Sequence, residues 1–178
     1  MRKKHYIALF AISLLILCYL CSKCSGVLGW RTEKAEETIL AYYEQNKELL
    51  AEIAQECLQV AGAGEEPRSV QVSLESLKMN VFTDDMSEPL DSEESELLCR
   101  LVSTLQDEDP PFTKIVTSDL MHFLESRTCS FYNTIFVHGE PYYHFELIYC
   151  DEPNATVHFA EVTQQLDAHW YLVGYIYY

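Results

Sequence analysis

The chain has 178 residues, room for one domain and an anchoring segment, and its 48% hydrophobic and 12% aromatic content excludes a disordered protein. Its formal net charge is −16, and the charge is unevenly placed: Arg2, Lys3, Lys4 and Lys23 are the only basic residues before Gly26, and no acidic residue precedes Glu33. The remainder therefore carries 8 basic against 28 acidic side chains, a net −20 that is repelled by phosphate backbones and anionic lipid and argues against nucleic acid as a partner.

The first 30 residues form a basic n-region followed by an apolar run from Tyr6 to Cys21. Sixteen helical residues reach about 24 Å, short of a ~30 Å hydrocarbon core, so a full span also needs Ser22–Leu28 with Lys23 reaching back to the headgroups. The expectation is a signal anchor over 1–30 with the N-terminus cytoplasmic and residues 31–178 forming a single acidic extracytoplasmic domain at the cell membrane. The alternative is a cleaved signal peptide that leaves a secreted domain; Ser22, Cys24 and Gly26 offer the small residues that cleavage requires. Cys18, Cys21 and Cys24 recur every third residue and read as small apolar side chains on a helix face.

Thr32 is placed to N-cap a long helix, with Glu33, Glu36 and Glu37 in its first turns. Ala35, Ile39, Tyr42, Asn46, Leu49, Ile53, Cys57 and Val60 follow at steps of three and four, one stripe broken only by Asn46, and Gly62 and Gly64 end it. Val70, Val72 and Leu74 alternate as a strand; Leu77, Met79 and Val81 alternate again after a one-residue slip that predicts a bulge or tight turn. "TDDMSEPLD" reads as a loop, and Asp91 with Glu94 as a capping box opening a helix through "ELLCRLVSTL". A short strand "FTKIV" and a brief helix "LMHFLES" follow. Four strand-like runs close the chain, at 128–138, 141–150, 155–163 and 169–178.

The run from Cys129 to Cys150 is symmetric about Gly139-Glu140, and glycine at the first central position of a two-residue loop marks a type II′ hairpin. In that register Cys129 faces Cys150 across a non-hydrogen-bonded pair, close enough for a disulfide in an exported domain; unlinked thiols at a chance spacing are the alternative. Cys57 and Cys99 are expected to be buried and reduced. The same register separates His138 from His144 onto opposite faces and leaves His158 several pairs away, so no zinc site and no other cofactor is expected. A four-residue loop at 151–154 pairs His144 with Glu161, with Glu146 and Tyr142 on the same face. His144, Glu146, Glu161 and Tyr142 are thus the ligand-binding candidates, either as a base with two carboxylates in a cleft or as polar residues on an exposed sheet face. Asn154-Ala155-Thr156 is a glycosylation sequon whose use depends on the host. The faces of "WYLVGYIYY" stay open, because a four- or five-residue loop before it exchanges them.

The element order gives an α+β domain, a long amphipathic helix and a second helix packed on a C-terminal four-strand antiparallel meander. A helix followed by a curved meander is similar in shape to NTF2-like or cystatin-like domains, in element order alone. No phosphate loop, nucleophile elbow, paired-cysteine zinc motif or His-Glu-x-x-His occurs, so no catalytic residues are assigned. The expectation is a membrane-anchored interaction domain without catalysis, its partner another envelope protein or a second copy. The competing reading is a small-ligand-binding or hydrolytic domain with a pocket under the meander lined by Tyr142, Tyr143, Tyr149, Tyr171, Tyr175 and Tyr177.

Overall fold

A computed structural model describes residues 2–62, 68–82, 87–90, 95–118, 126–137, 140–155 and 162–176, with side chains described from position 32 onward except at 118, 135–137, 140–143, 162–163 and 176. The chain divides into two compact units, Met1–Glu37 and Thr38–Tyr178. The first unit is helical from Arg2. Among the described residues no helix is long and apolar enough to cross a membrane; the side chains of the run Tyr6–Cys21 lie outside them.

Helix α1 covers Arg2–Ala61, so Thr32 lies inside a helix and is not its N-cap. The one break is at Asn46, whose backbone leaves the helical region at φ −122° and ψ 16°. Its side-chain amide donates to the Tyr42 carbonyl at 3.2 Å, competing with the backbone amide for the acceptor one turn back. The lone polar residue of the predicted stripe is therefore the kink. Beyond it the buried face is broader than the predicted row: Leu50, Ala54, Leu58 and Ala61 join Ile53, Cys57 and Val60. A helix lying across a sheet buries a wide stripe, whereas a single row suffices for a coiled-coil seam.

Strands β1 (Ser69–Ser73) and β2 (Lys78–Phe82) form a hairpin closed by Leu74–Leu77, and the left-handed Leu77, φ 50°, is the predicted slip. Strand β3 (Ser87–Pro89) lies in the segment read as a loop. Helix α2 (Glu96–Asp107) starts with Ser95 at its N-cap, later than the expected capping box, whose Asp91 and Glu94 lie outside the described residues. Its Leu98, Val102 and Leu105 are buried, and the Gln106 amide donates to the Leu74 carbonyl at 3.1 Å. Strands β4 (Lys114–Ser118), β5 (Thr128–Val137), β6 (Glu140–Cys150), β7 (Val162–Gln165) and β8 (Trp170–Ile176) complete an eight-stranded sheet. The expected helix "LMHFLES" falls largely outside the described residues.

The architecture is α+β, two helices packed on an antiparallel sheet of order β3-β2-β1-β4-β5-β6-β8-β7. The C-terminal strands are not a simple meander, because β8 inserts between β6 and β7. Residues 144–150 and 170–174 are buried without alternation, so both faces of β6 and β8 are covered over these spans. One face of the sheet carries Cys129, Phe131, Phe145, Leu147, Tyr149, Trp170 and Leu172, and α1 lies on it. The rings of Trp170 stand 5.5 Å from Tyr43, 5.9 Å from Phe131 and 5.2 Å from Tyr149, the spacing of packed aromatic pairs. The other face carries Ile148, Cys150, Tyr171 and Val173 as one cluster.

The β5–β6 register differs from the expected one by one residue. Cys129 pairs with Tyr149 and Thr128 with Cys150; a shift between Ile135 and Phe136 then brings Val137 opposite Glu140 at the tip. Glu140 is therefore in the strand and not in the loop. Because side chains alternate with period two, the slip puts Cys129 and Cys150 on opposite faces. Both thiols are free, so the expected Cys129–Cys150 disulfide is not formed.

Candidate functional site

On the face opposite α1, β6 places His144 and Glu146 side by side, two residues apart. Glu146 Oε1 lies 3.1 Å from His144 Nε2. The imidazole is stacked between Tyr132 of β5 and Tyr175 of β8, with ring centroids at 6.0 and 4.7 Å. The Lys114 ammonium of β4 sits over the outer face of this row, 4.3 Å from the Tyr132 ring centre. Register explains the grouping: Tyr132 is directly opposite Glu146, and Tyr175 directly opposite His144.

The row is interior. His144 is 8% exposed and Glu146 3%. Burial raises the Tyr132 hydroxyl pKa, and the Glu146 carboxylate raises it further. Tyr175 is raised by the same two causes in the same order. Glu146 Oε2 makes no hydrogen bond of ordinary geometry, although the Tyr132 hydroxyl is near enough to feel its charge. A base needs access to a substrate proton, and an imidazole only 8% exposed between two rings offers little. The arrangement can fix the positions of three strands through one hydrogen bond and two ring stacks.

Two of the four predicted candidates are thus brought together, His144 and Glu146, though neither in a cleft nor on an exposed face. The strands flanking β6 are β5 and β8, and the β8 partner of His144 is Tyr175. Glu161 lies outside the described residues, as do His138, His158 and the side chain of Tyr142. Among the described residues no three His, Cys, Asp or Glu side chains gather as metal ligands. The faces left open for β8 are now fixed: Trp170 and Leu172 face α1, while Tyr171, Val173 and Tyr175 face away.

A groove of about 580 Å³ lies elsewhere, between Thr38, Ala41, Tyr42 and Gln45 of α1 and the turn Asp109–Pro111. Burial, then the charges of Glu108 and Asp109, push the Tyr42 hydroxyl up to about 12; its oxygen is buried, and the polar side chains on the groove wall are Thr38, Gln45 and Asp109.

Two polar junctions had no sequence signal. Asp167, in the β7–β8 turn, accepts from the Tyr43 hydroxyl at 2.8 Å and from the backbone amides of His169 and Trp170 at 2.8 and 3.1 Å, and it pairs with Lys47. Burial pushes its carboxyl up, but Lys47, the His169 amide and Tyr43 outweigh that and hold it at about 2. Arg127 pairs with Asp151 at 3.0 Å and donates to the Leu58 carbonyl in the last turn of α1 at 3.3 Å. Both join partners far apart in sequence, which no local pattern encodes. No protein family, curated protein or solved structure matches the chain.

Proposed function

We propose that this protein is a membrane-anchored extracytoplasmic interaction domain without catalysis, held by residues 1–30 and presenting its acidic sheet domain to another envelope protein or a second copy. The observation that carries this reading is how the sheet's interior is filled. The space under α1 is occupied by the interlocked rings of Tyr43, Phe131, Tyr149 and Trp170. On the other face, His144 and Glu146, the residues best suited to chemistry, are closed in by Tyr132 and Tyr175. A ligand-binding domain keeps such space open and such residues reachable. The N-terminal basic cluster, the apolar run behind it and the net −20 of the remainder support the anchor and its orientation.

Two measurements test the reading. Protease added to intact cells should remove the domain while leaving the anchor. A thermal-shift screen of the full chain against metabolites and sugars should give no stabilisation. Protection from external protease overturns the topology. A concentration-dependent rise in Tm with one small molecule, lost on Tyr42→Phe or Gln45→Ala, overturns the interaction reading in favour of a binder that uses the α1 groove.

A further inference from the structure

Among the four cysteines with described side chains, two from distant parts of the chain meet in the core. Cys57 is on the buried stripe of α1 and Cys129 near the start of β5; both are 0% exposed, unlinked, and 4.3 Å apart. The other two are placed differently. Cys99 of α2 has its Sγ 3.8 Å from the Met79 sulfur, and Cys150 is on the opposite sheet face among Ile148, Tyr171 and Val173. We propose that Cys57 and Cys129 are a disulfide-forming pair, tying α1 to β5 when the domain folds in an oxidising compartment.

Closing the 4.3 Å separation to an S–S bond of ~2.05 Å requires both side chains to turn toward each other and α1 to approach β5. Timing follows from burial. Desolvation, then the neighbouring Cys57, raises the Cys129 thiol well above its ordinary value, so in the closed core it stays protonated and does not attack. The bond therefore forms while α1 docks. A cysteine thiolate attacks one sulfur of an external disulfide, breaks that S–S bond and releases one thiolate. The second cysteine, as thiolate, attacks the resulting mixed disulfide, forms the Cys57–Cys129 bond and releases the second thiolate. Two protein thiols are oxidised, one external disulfide is reduced, and the two protons end on the released thiols. Once the core closes, the same burial shields the bond from reductants.

In the cell this inference rests on the export proposed above; in vitro it does not, and the two are tested separately. The full chain in detergent is refolded with oxidised or with reduced glutathione, blocked with N-ethylmaleimide and peptide-mapped without reduction. The oxidised sample should yield a linked Cys57–Cys129 peptide in most molecules. Closing a loop of roughly 70 residues should raise its Tm by about 10 °C over the reduced sample. Cys57→Ala should abolish that difference and Cys150→Ser should preserve it. Alkylated Cys57 and Cys129 after oxidation, or equal Tm values, overturn the proposal. The same map is then made on protein from native membranes alongside external protease. Free thiols on a protease-accessible domain overturn the proposal. Free thiols on a protease-protected domain, with the bond formed in glutathione, overturn export and uphold the pair.

Discussion

Asp167 is the sharpest test of how α1 is held to the sheet. Its Oδ1 accepts from the amides of His169 and Trp170, and its Oδ2 from Tyr43 while pairing with Lys47. Asp167→Ala removes all four interactions. Hydrogen bonds to a charged group are worth about 1.5–3 kcal/mol each, but this turn is partly solvated, so water replaces much of the loss. The Lys47 side chain is 48% exposed, which limits that pair to below about 1 kcal/mol. A total of about 3 kcal/mol follows. Asp167→Asn keeps an oxygen for the two backbone amides and loses only the charge, for about 1 kcal/mol. The assay is urea unfolding of the full chain in a Trp30→Phe background, which leaves Trp170, buried against Tyr43, as the only tryptophan. The pH dependence has a fixed sign. A carboxyl lowered from 3.8 to about 2 stabilises the fold above pH 3.8 and loses that contribution as pH falls through 2. Its full linkage value of about 2 kcal/mol shrinks to about 1 after solvent screening. The cost of Asp167→Asn should therefore be near 1 kcal/mol at pH 6 and under half that at pH 2. An Asp167→Ala cost below about 0.5 kcal/mol, or an Asp167→Asn cost independent of pH, refutes the reasoning.

Phe131→Ala, at the centre of the ring cluster, should cost about 3–5 kcal/mol in the same urea assay; a cost under about 1.5 would mean the cluster is loosely packed. His144→Ala should cost about 3 kcal/mol, because it removes the ring stacked between Tyr132 and Tyr175 and the hydrogen-bond partner of Glu146, while Glu146→Gln, which keeps an oxygen at that position, should cost about 1; the reverse order of the two costs would show that the ring stack is not what holds these strands. Arg127→Ala should cost about 1–2 kcal/mol by releasing Asp151 and the Leu58 carbonyl. A Cβ at Gly62 would stand 2.8 Å from the Arg127 guanidinium and 3.3 Å from the Leu58 carbonyl, so Gly62→Ala should destabilise the native chain and cost less in the Arg127→Ala background, where only the carbonyl contact remains; equal costs in both backgrounds would exclude the Arg127 contact.

What the sequence encodes locally, it shows. Val70, Val72 and Leu74 alternate and are buried; "ELLCRLVSTL" is helical; Gly62 follows the last residue of α1. That a long helix packs on the sheet was legible too, because its apolar stripe needs an apolar sheet face to cover. Long-range order was not legible. Nothing near residues 155–170 states that β8 returns beside β6 and leaves β7 outside. The hairpin register failed for two reasons: Val137 pairs with Glu140, so the tip lies one position earlier than Gly139-Glu140, and the irregularity at Ile135/Phe136 then shifts the ladder back by one, which exchanges the faces. The candidate site followed that error. His144 and Glu146 were grouped correctly because two residues apart on a strand always share a face, while the pairing to Glu161 depended on strand order.

The buried His144–Glu146 pair bears on which register β6 adopts. Strand β6 offers two different faces: Phe145, Leu147 and Tyr149 toward the rings beneath α1, and His144 and Glu146 toward Tyr132 and Tyr175. With period two, a one-residue slip against β5 and β8 exchanges them. The pair would then enter the apolar layer of Phe131 and Trp170 still joined to each other, but stripped of the Tyr132 and Tyr175 rings and with its remaining polar atoms facing hydrocarbon, at a cost of about 1–3 kcal/mol for each such atom. An all-apolar β6 would pack almost equally well in either register. The polar pair makes one register much the better of the two, and the irregularity near the hairpin tip takes up the odd residue so that the loop need not dictate it. On this argument, replacing both residues by leucine should hold or raise the melting temperature while broadening the amide resonances of β5, β6 and β8 as registers mix. A double-leucine variant with sharp, native-like resonances would show that the ring layer alone sets the register.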